Sequence, residues 1–124
     1  MKKLYFLALI LLGAAISSSG FAQSAKVGGV YTVQGSNPGG KGAYTGTVTI
    51  TPNGSVYQVD WKVGNSYSGV GILNGNILSV GWGNLSQAGF GVVAYTVQPN
   101  GSLSGTWAMV KGNALGTETL TPAK

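Results

Sequence analysis

The sequence predicts an all-β fold: one domain of eight short antiparallel strands in an up-and-down meander that closes, or nearly closes, into a small barrel. Three observations carry this expectation. From Val27 onward apolar and polar residues alternate with period two, β-branched and aromatic residues dominate, and no stretch offers a helical stripe. The dipeptides Asn53-Gly54, Asn74-Gly75 and Asn100-Gly101 interrupt the alternation, and Asn-Gly is a strong signal for a two-residue type I′ hairpin turn. Finally, Ile50-Thr51-Pro52-Asn53-Gly54-Ser55-Val56 echoes in Val97-Gln98-Pro99-Asn100-Gly101-Ser102-Leu103, 47 positions later.

The chain begins with a segment set apart from this pattern. Lys2 and Lys3 precede an apolar run from Leu4 to Ile16, followed by small and polar residues up to Ala22. That layout predicts a secretory signal peptide over residues 1–22, cut after Ala22 or, as the second choice, after Ala25. A membrane-crossing helix needs roughly twenty apolar residues, more than this run supplies. Residues 23–124 then form the single β-barrel domain, and the expected location is the periplasm or the exterior. After cleavage the domain is not expected to span the membrane.

Cutting at the turns, with weaker signals at Gly64-Asn65 and Gly112-Asn113, gives segments 27–35, 42–51, 55–63, 66–73, 76–83, 89–98, 102–110 and 114–121. Connections this short force neighbouring strands to be antiparallel. At the 47-residue offset Tyr31 and Val33 fall on Leu78 and Val80, so the echo reads as an internal two-fold repeat of four-stranded halves. Eight strands can close into a barrel and so remove their exposed edges. An open twisted meander and a two-sheet sandwich are the alternatives. An outer-membrane barrel fits less well, because the outward face is rich in Thr, Ser, Gln and Lys and lacks an aromatic girdle.

Alternation also assigns faces. In the third segment Tyr57, Val59, Trp61 and Val63 point inward, while Val56, Gln58, Asp60 and Lys62 point outward. The same rule turns inward Tyr31, Val33, Tyr44, Val48, Ile50, Tyr67, Leu73, Leu78, Val80, Trp82, Val93, Tyr95, Val97, Leu103, Trp107, Met109 and Leu120. Several glycines share that face, where a missing side chain leaves room for a large ring or a bend.

The inventory for chemistry is short. The chain has no His, Cys or Arg, and its only carboxylates are Asp60 and Glu118, expected on opposite faces. Nucleophilic triads need an imidazole or an equivalent base, and glycosidase chemistry needs two facing carboxylates. Zinc lacks its usual ligands. No catalytic residue, cofactor or metal site is expected, and the protein reads as a non-enzyme. Five lysines against two acids leave the domain at +3 after cleavage, but the lysines are scattered, so nucleic acid is not expected as a partner.

Glu118 is the odd residue, because the alternation that buries Leu120 also turns it inward. An inward carboxylate is costly unless hydrogen-bonded or paired. Tyr hydroxyls, Trp indole N–H groups or Lys111 could satisfy it, either as a tie between strands or as a polar anchor in a ligand pocket. The candidate ligand-binding set is therefore Tyr44, Trp61, Tyr67, Trp82, Trp107 and Glu118. A barrel of this size is just wide enough to be filled by side chains or to hold one small ligand, and the sequence leaves both open.

The spacings Tyr31-x-Val33-x-Gly35-x-Asn37-Pro38, Tyr44-x-Gly46-x-Val48-x-Ile50, Trp61-x-Val63-Gly64, Gly69-x-Gly71, Gly101-x-Leu103-x-Gly105-x-Trp107 and Gly116-x-Glu118-x-Leu120-x-Pro122 run through nearly all of the domain. In these it resembles a group of small, uncharacterised secreted proteins of Gram-negative bacteria that sometimes carry an automatic fibronectin-binding label. It departs from them by extra residues around Ser86 to Phe90 and Ala108 to Lys111. The expected architecture also resembles avidin-like and lipocalin-like barrels and barrel-type periplasmic inhibitors, an analogy of fold that fixes no function.

The sequence thus predicts an exported, non-catalytic binding module, taking a small ligand in the barrel or an extracellular or envelope protein at its loops. The alternative is an inhibitor or surface-interaction protein acting through a protruding loop, with Ser36 to Gly42 and Asn84 to Gly89 as candidates.

Overall fold

The alternating pattern folds into eight strands: β1 (Gly29–Ser36), β2 (Ala43–Asn53), β3 (Val56–Val63), β4 (Asn65–Asn74), β5 (Ile77–Gly83), β6 (Phe90–Val97), β7 (Leu103–Met109) and β8 (Gly116–Pro122). One short 3-10 turn, Pro38–Gly40, lies between β1 and β2. The computed structural model describes residues 26–84, 86 and 89–124, so the signal peptide expected over residues 1–22 lies outside the described residues. Each strand pairs antiparallel with the next, and β1 pairs with β8 from Tyr31↔Pro122 to Ser36↔Thr117, closing the barrel. The meander and its closure are as the sequence predicts; the open sheet and the sandwich are excluded. No helix among the described residues is long and apolar enough to cross a membrane.

The turns differ from expectation in an instructive way. A type I′ turn needs positive φ at both central residues, yet Lys111 is the only non-glycine with positive φ among the described residues. The register Asn53↔Val56 places Gly54 and Ser55 at the centre of the first turn, with Gly54 at φ 62°. Likewise Asn74↔Ile77 puts Gly75, at φ 67°, and Asn76 at the centre of the second. Glycine first and an ordinary residue second is the pattern of a type II′ turn. The asparagines therefore end strands rather than occupy turn centres.

Pro99-Asn100-Gly101-Ser102, though identical to Pro52-Asn53-Gly54-Ser55, sits in a wider loop. Val97↔Leu103 is the last pair, Gln98 N donates to Ser102 O at 2.8 Å, and Gly101 N donates to Gln98 O at 2.9 Å. This difference reaches the internal repeat. The first hairpin of each half keeps its register, since Tyr31↔Val48 maps onto Leu78↔Tyr95. The next hairpin does not: Val48 faces Trp61, whereas Tyr95 faces Gly105. The wider loop shifts the pairing, and the two halves carry different side chains inward beyond that point.

The predicted inward face is the core. Val48, Val59, Leu78, Tyr95, Leu103 and Leu120 are completely enclosed, and Tyr31, Val33, Ile50, Trp61, Val80, Val93 and Val97 are buried with them. Each such side chain withdrawn from water contributes roughly 1.5–3 kcal/mol. Met109, the last inward residue of β7, is 41 % exposed at the strand's end. Outside, Asp60 is exposed and accepts a hydrogen bond from Ser68 at 2.8 Å, on the opposite face from Glu118.

The two ends of the barrel are built differently. Turns 53–56, 74–77 and 97–103 close one end, over Ile50, Leu78, Val97, Leu103 and Leu120. At the other end lie Gly64, the longer loops 37–42 and 110–115, and the connection from Asn84 to Gly89. Gly39 N donates to Leu115 O at 3.2 Å, tying two of these loops together. Asn84 N donates to Gly89 O at 3.1 Å and pinches the third.

Candidate functional site

At the loop end the barrel interior opens into a cup of about 490 Å³. Tyr44, Trp61, Tyr67, Trp82, Trp107 and Glu118, the six residues singled out in the sequence, all line it. Both candidate loops border it too, through Asn37 and Pro38 on one side and Asn84 and Gly89 on the other. The choice between a filled and a hollow barrel is thus resolved by position: aliphatic side chains fill the turn end, and the loop end is hollow.

Glu118, 6 % exposed, lies at the floor of this cup. Oε1 accepts a hydrogen bond from the Tyr44 hydroxyl at 2.7 Å, and Oε2 accepts from Trp61 Nε1 at 3.0 Å and from the Tyr95 hydroxyl. The indole N–H can only donate and both phenols donate to the carboxyl oxygens, so three hydrogen bonds converge on the group. Lys111, the fourth partner considered, is not involved. It stands exposed in the connection after β7 with φ 64°, so its backbone turns away where continued alternation would have brought it inward.

The register explains how two tyrosines reach one carboxylate. Glu118 is paired with Gly35 on β1 and Gly105 on β7. Each glycine is paired on its far side with a tyrosine, Tyr44 on β2 and Tyr95 on β6. A Cβ on Gly35 would run into the Tyr44 ring, and one on Gly105 would lie 2.6 Å from the Tyr95 ring. Both rings therefore lie across glycine backbone with their hydroxyls over the neighbouring strand. Trp61 completes the set from β3, across the barrel interior.

The same device repeats along the wall. Trp82 lies over Gly91 and Trp107 over Gly116, their cross-strand partners. Tyr44 and Trp107 meet edge to face, with centroids 6.3 Å apart and planes at 68°. Trp107 and Trp82 follow at 5.9 Å and 79°, then Trp82 and Tyr67 at 5.6 Å and 89°. Four rings thus form adjoining walls rather than a stack, a favoured geometry for aromatic quadrupoles. Trp107 Nε1 is buried and makes no hydrogen bond among the described residues.

Burial pushes the Tyr44 hydroxyl well above the usual tyrosine range, and the hydrogen bond to Glu118 and its nearby charge act in the same direction. Tyr95 is raised as well, first by burial and then by the charge of Glu118 and the hydrogen bond to it. A phenol that donates to a carboxylate in a water-poor site resists giving up its proton. Both tyrosines therefore remain donors.

Tyr95 is the member of the cluster absent from the sequence-derived set, although its inward face is predicted. The signal for it is the pair of glycines flanking Glu118 in the register, which only strand pairing reveals. Asn37, Pro38, Val63, Asn84, Gly89, Val93 and Met109 complete the lining. No group of three or more His, Cys, Asp or Glu residues able to hold a metal occurs among the described residues.

Fold and site together define a closed eight-stranded antiparallel barrel with an aromatic cup at one end and a hydrogen-bonded carboxylate at its floor. No family model, curated protein or solved structure matches the chain.

Proposed function

We propose that the protein is an exported, non-catalytic binding module that holds a small ligand in the aromatic cup. The observation that carries this reading is the cup itself, about 490 Å³ and lined by five aromatic residues with Glu118 at its base. Small-molecule sites are typically concave, about 300–1,000 Å³, mostly apolar, and supplied with a few fixed polar groups. The resemblance to small secreted Gram-negative proteins and the leader-like residues 1–22 support export to the periplasm or beyond. The second carboxylate lies on the outer face, and no imidazole or thiol is available, which supports binding over acid-base turnover.

Binding in the cup must perturb the tryptophans, because Trp61, Trp82 and Trp107 all line it. Titrating the purified protein with a panel of small amphiphilic and aromatic compounds is expected to shift or quench their emission saturably. A panel-wide absence of any saturable change, together with native mass spectra free of adducts from the protein's own host, would overturn the reading.

A further inference from the structure

The cup's floor and walls also point to the class of ligand, an inference that rests on the binding reading above. Glu118 is buried, yet each of its three partners is neutral: two phenols and an indole. A buried carboxylate without a counter-charge retains an electrostatic cost that hydrogen bonds only partly offset. Its valence is also incomplete. A carboxylate oxygen accepts two hydrogen bonds readily, and Oε1 has one donor where Oε2 has two. One acceptor position on the oxygen bonded to Tyr44 therefore remains, on a residue that lines the cup.

The walls supply the second half of the argument. Tyr44, Trp107, Trp82 and Tyr67 succeed one another edge to face, at 68°, 79° and 89°. Rings set as adjoining walls enclose a volume bordered by π-electron density, which attracts cations and pays the least desolvation cost with weakly hydrated alkylammonium groups. A neutral apolar ligand uses the walls but not the floor, and an anion is repelled by the floor. From the uncompensated Glu118 carboxylate beneath a box of four aromatic rings, we infer that the ligand is a small organic cation, an alkylated or quaternary ammonium compound.

The exposed lysines do not alter this assignment. Lys41 and Lys111 lie in the loops at the open end and Lys62 on the outer face of β3. Their repulsion of an approaching cation is screened within about 8 Å at physiological salt, whereas a buried charge is screened much less.

The test compares choline with its uncharged carbon isostere, 3,3-dimethylbutan-1-ol, by calorimetry and tryptophan fluorescence on the purified protein. Choline is expected to bind at least tenfold more tightly, and Glu118→Gln to abolish most of that preference. If E118Q does not fold, as read by circular dichroism, the comparison on the unaltered protein decides alone. Equal binding of the two compounds, or tighter binding of the isostere, overturns the cation assignment and leaves an apolar-ligand module standing. Failure of both compounds, with neutral members of the wider panel binding saturably, also overturns the cation assignment. Failure of every compound removes the binding reading with it.

Discussion

The two ends of this barrel are made by the same eight strands and the same alternation, yet one is a core and the other a cup. At the turn end the inward positions hold Ile50, Leu78, Val97, Leu103 and Leu120, with Tyr31 beside them, all buried. At the loop end they hold rings and glycines in register: Tyr44 over Gly35, Trp82 over Gly91, Trp107 over Gly116. A ring lying flat across glycine covers the wall without crossing the lumen. A small barrel therefore becomes hollow by removing side chains opposite its largest ones, rather than by adding strands.

This contrast is open to attack from either end. The largest expected effect is alkaline. Tyr44 and Tyr95 have their folded-state pKa raised, so the stability they contribute is fully present below the unfolded value near 10 and is lost as pH rises beyond it. Each phenol ionised in the unfolded state but not in the folded one costs about 1.4 kcal/mol per pH unit. Urea unfolding between pH 9 and 11.5 should show a falling midpoint, and a Tyr44→Phe/Tyr95→Phe protein should show a much shallower fall. An equally steep fall in the double variant would mean that the loop end does not set the alkaline limit.

Leu103→Ala, at the turn end, is expected to cost about 2–5 kcal/mol in urea unfolding, as for other fully enclosed leucines. It should leave ligand binding at the cup unchanged. Gly105→Ala works at the boundary, since its Cβ meets the Tyr95 ring and displaces the hydroxyl from Glu118. A loss of about 1–3 kcal/mol is expected, with a weakened response of the cup. Next comes a pair of equal truncations: Trp61→Phe removes an N–H bonded to Glu118, Trp107→Phe one with no partner. The former should cost more by about 1–2 kcal/mol, given the value of a hydrogen bond to a charged group. The smallest effect is outside: Gly81, facing outward with nothing near its would-be Cβ, should accept alanine with a gain of about 0.4–1 kcal/mol.

Much of the turn end and the cast of the loop end was legible in the sequence, because both depend on parity. Glu118 could be placed inside from Leu120 alone, and its tyrosine and tryptophan donors follow from there being few other inward polar groups. What parity cannot supply is register. Tyr95 joins Glu118 only because Gly105 stands between them, and that pairing depends on the loop between Val97 and Leu103. Identical Pro-Asn-Gly-Ser segments gave a tight turn in one place and a wide loop in the other, so the tetrapeptide did not decide the geometry. The cup itself was not legible, since its emptiness depends on how far rings extend across a closed circumference. Lys111 was misplaced because alternation was carried past the last paired residue of β7, Met109.

Closure has one more consequence, for folding rates. Seven of the eight pairings join strands adjacent in sequence, and only the β1–β8 seam joins positions about ninety residues apart. Closing that seam bears the loop entropy of nearly the whole domain, so it is the natural late event on the pathway. The hydrogen bond from Tyr44 on β2 to Glu118 on β8 spans the seam from inside. The floor of the cup is therefore also the fastener of the barrel, and a ligand seated on it should slow unfolding more than it speeds refolding.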